Sequence, residues 1–157
     1  MKRTIIAAML LCTLICSTAS AKRQPVAHMY MFGLAASFTD TIVHLTPIQT
    51  LDSVWIDTKN DFLQERQEYS AQMRNYLDKQ QQMPRRTCIV FYNQEKEKLQ
   101  KKYDKILRLY TKGKDGKKHF DLRLLTNDMF HFTTIDLSAY ADDSQPTTDG
   151  TEESTTE

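Results

Sequence analysis

Apolar positions recur along this chain with changing period, and each period predicts a different element. Residues 27–46 are dense in apolar and β-branched side chains and break only at Ser37-Phe38-Thr39-Asp40. That composition predicts a β-hairpin turning at the break and ended by Pro47. Gly33, followed by Leu34, Ala35 and Ala36, makes part of it small enough to lie under a helix or to mark a bulge. A short extended piece through Val54, Trp55 and Ile56 follows.

From residue 59 to 82 the spacing turns helical. Phe62, Tyr69, Met73, Tyr76 and Leu77 recur on one face, while Glu65, Arg66, Glu68, Arg74, Asp78 and Lys79 occupy the others, the pattern of an amphipathic helix. Thr58 with Asp61 predicts a capping box built with the shorter acid, and Asp57 adds negative charge at the same end. Pro84, Arg85 and Arg86 close the helix.

Residues 87–92, Thr-Cys-Ile-Val-Phe-Tyr, form a continuous apolar run and predict a central strand covered on both faces. Asn93 is placed to cap a second helix with Leu99, Tyr103, Ile106, Leu107 and Tyr110 inside, which stops at the glycine-rich turn 112–116. After His119 the period becomes two: Phe120, Leu122 and Leu124 alternate with Asp121 and Arg123, predicting a half-buried strand. Asn127-Asp128 breaks it, and Met129-Phe130-His131-Phe132 predicts a last short strand.

This order predicts one α+β or α/β domain over residues 22–138, with two or three layers and a mixed sheet. The passage from strand 87–92 through the second helix to Phe120 predicts a right-handed βαβ crossover. No repeat at solenoid spacing is present.

Both ends depart from the globular pattern. Lys2 and Arg3, the apolar residues 4–15 and Ala19-Ser20-Ala21 have the layout of a cleaved signal peptide over residues 1–21. The run is too short for a membrane span, and Ile15 before Cys16 and Leu11 before Cys12 spoil a lipidation pattern. Export to a bacterial periplasm or beyond the cell is therefore expected. Cleavage removes Cys12 and Cys16, leaving Cys88 with no intramolecular partner, so the domain must be held by its core. Residues 139–157 form a Ser/Thr-rich acidic segment without a large apolar side chain after Tyr140, and predict a disordered tail.

The formal net charge of +1 hides an asymmetry. Residues 142–157 hold six acidic and no basic residues, whereas residues 22–141 hold nineteen basic against fourteen acidic ones. The excess lies in the second helix, where Lys96, Lys101, Lys102, Lys105 and Arg108 are candidates for binding a polyanion such as an acidic glycan, by counterion release. The competing reading is a solvated helix face. One arginine and no interleaved aromatics exclude sequence-specific nucleic-acid recognition. The acidic tail could fold back to screen this face.

Catalytic patterns are missing: neither G-x-G-x-x-G, a P-loop, H-E-x-x-H, paired cysteines nor G-x-S-x-G occurs, so no cofactor or metal is predicted. Four Glu precede the tail, few for a paired-carboxylate glycosidase. His28, His44, His119 and His131 lie singly in four strand-like segments. A small hydrolase using His28, His44 or Cys88 is the enzymatic alternative, opposed by the apolar run around Cys88, which raises a thiol pKa. Asp40-Thr41-Ile42 and Asp52-Ser53-Val54 resemble the Asp-Ser/Thr-apolar acceptor of an O-glycosylation system of Gram-negative secreted proteins, making Thr41 and Ser53 candidate sites. The reading that results is a small exported, soluble, non-catalytic domain that contacts an unknown macromolecular partner.

Overall fold

The longest strand organises everything else. A computed structural model of the chain describes residues 23–113, 116–117 and 119–140, so the expected leader and the tail beyond residue 140 lie outside the described residues. The elements are β1 (Arg23–Ala36), β2 (Ile42–Leu45), β3 (Gln49–Asp57), β4 (Phe62–Leu63), α1 (Arg66–Lys79), β5 (Thr87–Asn93), α2 (Lys96–Lys112), β6 (Asp121–Leu124) and a 3-10 turn, Ser138–Tyr140. They make one α+β unit with a mixed sheet of six strands.

β1 is the centre of the sheet. Tyr30 and Met31 pair with Thr50 and Gln49 of β3 on one edge and with Asn93 and Tyr92 of β5 on the other. Leu34 and Ala35 likewise pair with β2 and with β5. β2 and β3 therefore lie along the same edge, as one strand broken at Pro47. Met31 faces Gln49, and the Thr46 N–H bonds the Gly33 carbonyl at 3.0 Å, so Phe32 is opposed by both Pro47 and Ile48, a β-bulge. The Thr46 hydroxyl accepts the Gly33 N–H at 2.8 Å, replacing the carbonyl partner that the bulge displaces. Beyond this edge, β6 runs parallel to β2, and β4 pairs antiparallel with β3.

The two faces carry different helices. Met29, Met31 and Ala35 of β1 pack under α1 through Tyr69, Met73 and Leu77, joined by Phe130 and Phe132. Phe32 and Leu34, with Val43 and Leu45, pack under α2 through Leu99 and the half-buried Tyr103, Ile106, Leu107 and Tyr110. The expected hairpin, the inner faces of both helices and the layered order are therefore present. Gly33 lies where α1 crosses: a Cβ there would come 2.6 Å from Met73 Sδ and 3.0 Å from the Phe132 ring. Its smallness is what allows the helix to approach.

Four expectations are corrected. The first helix starts at Arg66 rather than residue 59. Asp57 and Asn60 each accept an N–H two residues on, from Lys59 and Phe62, and these turns close a β3–β4 hairpin where the capping box was expected. Phe62 is accordingly exposed. β5 is not central, because among the described residues it pairs with β1 alone. β5 and β6 run parallel with α2 between them in sequence, but β1 and β2 separate them in the sheet.

The fourth correction concerns residues 129–132, which form no strand. The buried Gln49 amide donates to the Phe130 carbonyl at 2.9 Å and accepts the Phe132 N–H at 2.8 Å, and Gln72 holds both backbone groups of Thr133 in the same way. Two glutamine side chains take the place of a neighbouring strand. No helix among the described residues is long and apolar enough to cross a membrane.

Candidate functional site

A sheet that is not closed into a barrel must deal with its outer strands, whose backbone groups invite pairing with another chain. Two of the outer strands here are protected. β4 is two residues long, and β6 has four residues carrying the charges of Asp121 and Arg123. β5 is different: its seven residues, Thr-Cys-Ile-Val-Phe-Tyr-Asn, contain neither charge nor proline, and among the described residues only β1 pairs with it.

The free side of β5 opens into a groove of about 780 Å³ between α1 and α2. Side chains alternate across a strand, so β5 presents Cys88 and Val90 toward α1 and Ile89 and Phe91 toward α2. Ile89 is 43% exposed. Arg66, Ser70 and Arg74 line the α1 wall at four-residue intervals, which makes them one ridge of the helix. On the other wall the Lys102 ammonium sits 4.6 Å from the centre of the Phe91 ring, a cation–π contact that aims it over the strand. Glu68 is the one carboxylate lining the groove against those three cations. The site is basic at its rim and backbone-polar at its floor.

A smaller apolar pocket of about 170 Å³ adjoins it, lined by Leu34, Ala36, Phe38, Thr87, Ile89 and Tyr110. Ile89 belongs to both. Phe38, at the tip of the β1–β2 turn, is 100% exposed, so its ring is open to contact from outside. Ser37 and Thr39 hydroxyls bond one another and Asp40 accepts the Ile42 N–H, so the turn that carries Phe38 is internally braced.

Of the five cations expected to bind a polyanion, the fold divides the set. Lys101, Lys105 and Arg108 are exposed on the outer ridge of α2 at spacings of four and three. Lys102 turns into the groove, and Lys96 lies 6.0 Å from the Tyr30 ring. Thr41 and Ser53 are both exposed, Ser53 with φ of 56° inside β3. Asp40, the acid preceding Thr41, is tied to Arg86 at 2.6 Å.

The enzymatic candidates are dispersed. Cys88 is buried and donates weakly to the Arg86 carbonyl at 3.9 Å; burial pushes its thiol up to about 11, which keeps it protonated. His28 pairs with Asp52 at 2.6 Å on the surface, and His119 and His131 are exposed. His44 is buried, with no partner for Nδ1 among the described residues, and burial together with the Arg86 charge lowers it to about 4. Arg86 is itself buried, donating to the Ile42 carbonyl and the Asp40 carboxylate, and so fastens the hairpin turn to the start of β5. Among the described residues no three His, Cys, Asp or Glu side chains are grouped to hold a metal ion.

Arg66, Arg74, Ile89 and Phe38 were not singled out by sequence reasoning as site residues. The signal for two of them was present as Arg66, Ser70 and Arg74 at four-residue spacing, but it carries meaning only once β5 is known to lie beside that ridge. No protein-family model, curated protein or solved structure matches the chain.

Proposed function

We propose that this chain is an exported interaction module that takes an extended acidic segment of a partner protein as an added strand along β5. One observation carries the reading: among the described residues nothing pairs with the outer side of the uncharged, seven-residue β5, which forms the floor of a groove rimmed by Arg66, Arg74 and Lys102. Backbone donors and acceptors on such an edge are satisfied best by another peptide backbone, and pockets for alternate side chains then supply selectivity. A second copy of this chain fits less well, since two-fold pairing of β5 would bring the same cations face to face. The export half of the proposal is supported by the leader-like residues 1–21.

The test is a selection of random displayed peptides on the full chain, followed by hydrogen exchange with a selected peptide bound. Recovered peptides should be rich in Asp and Glu, protect amides of residues 87–93, and lose affinity with salt and on Arg74→Glu. Peptides without acid enrichment, or protection confined elsewhere, would overturn the reading.

A second contact is favoured by the exposed outer ridge of Lys101, Lys105 and Arg108, which suits an anionic polymer. Retention on heparin that falls with salt and with Lys101→Glu, but is unchanged by Arg74→Glu, would assign that ridge a separate ligand.

A further inference from the structure

The apolar pocket beside the groove gives the bound segment a register. Resting on the strand-addition reading above, we infer that the partner segment carries one aliphatic side chain two residues away from an acidic one, with the aliphatic residue seated between Phe38, Ile89 and Tyr110 and the acid facing Lys102. Ile89 and Phe91 both point to the α2 side of the sheet and stand two residues apart. On an added strand, residues separated by two share that side as well. The residue opposite Phe91 meets the Lys102 ammonium that rests on the Phe91 ring. Two positions along, its neighbour meets the pocket formed by Ala36, Phe38, Thr87, Ile89 and Tyr110.

The size of that pocket restricts its occupant. At about 170 Å³ it falls below the roughly 300 Å³ where small-molecule sites begin. It suits a single Leu, Ile or Met side chain. Residues of the bound strand on the opposite side face the Arg66, Ser70 and Arg74 ridge, where acidic or hydroxyl side chains fit. The segment so described is short, mostly acidic and anchored by one aliphatic residue.

The experiment uses the full chain and fluorescence anisotropy with labelled ten-residue peptides of equal composition. In one pair Leu stands two positions before or after a Glu; in the other the separation is three, which puts the two on opposite faces. One of the two-spaced peptides should bind about tenfold tighter than either three-spaced peptide, and its order fixes the strand direction. Phe38→Ser, at a fully exposed position, should erase that advantage and leave acidic-peptide binding intact. Equal binding at both spacings with dependence on Arg74 retained would overturn the register while leaving the strand-addition reading in place. Absence of binding by every peptide, with no protection of residues 87–93, would remove both. Phe38-dependent binding to phosphatidylglycerol vesicles without discrimination among peptides would show that the apolar tip is directed at lipid, and would also overturn it.

Discussion

The two edges of β1 show opposite treatments of the same problem. Along one edge β2 and β3 supply partners: the Thr46 hydroxyl stands in at the Pro47 bulge, and the buried β3 side chain Gln49 in turn holds the backbone of Phe130 and Phe132. Along the other, β5 covers Tyr30 to Ala36 and then meets solvent and two helix flanks. Polar groups buried on the first edge contribute stability because leaving them unpaired is costly. On the second edge, nothing among the described residues pairs with the outer backbone of β5, and water or a peptide can reach it. On the proposed reading, stability and recognition fall to different sides of a single strand.

The largest expected break in this contrast is Gln49→Ala. It leaves a buried carbonyl and a buried N–H without partners, and should cost about 2–4 kcal/mol in urea unfolding. Acid is the next test. His44 titrates near 6.5 unfolded but is held at about 4 in the fold, so the unfolded chain binds the proton first. Its contribution is present above pH 6.5 and is lost as pH falls toward 4, by about 3 kcal/mol at most. Urea midpoints measured at pH 7 and pH 4.5 should differ less in His44→Gln than in the parent.

Gly33→Ala should cost about 1–2 kcal/mol, because Met73 and Phe132 must shift to admit one methyl group. Arg74→Ala and Ile89→Thr, on the other edge, should change stability by less than about 0.5 kcal/mol. Peptide affinity in those variants should nevertheless fall about tenfold. A large stability loss in either would mean that the open edge is structural after all and would dissolve the contrast.

How much of this was legible in the residues varies by element. Helical spacing gave the inner faces of both helices correctly, since Tyr69, Met73, Leu99 and Tyr103 pack where the period puts them. The start of α1 was misjudged because Asp57 and Asn60 cap turns as readily as helices, and the pairing of Ile56 with Leu63 decided between them. Apolar periodicity reports where side chains are buried but not which backbone groups are paired. That is why residues 87–92 looked central and residues 129–132 looked like a strand. The candidate groove was invisible for the same reason, as it is made of unpaired backbone plus side chains from residues 66–74 and 102 that only the fold assembles.

Cys88 has a practical consequence. Its sulfur is shielded at 5% exposure between β5 and α1 and resists ionisation. An alkylating reagent can reach it only when that packing parts. The rate of its modification is thus a built-in clock for how often the layer between sheet and helix opens, and because Cys88 also lines the groove along β5, a strand-forming ligand there should slow that clock.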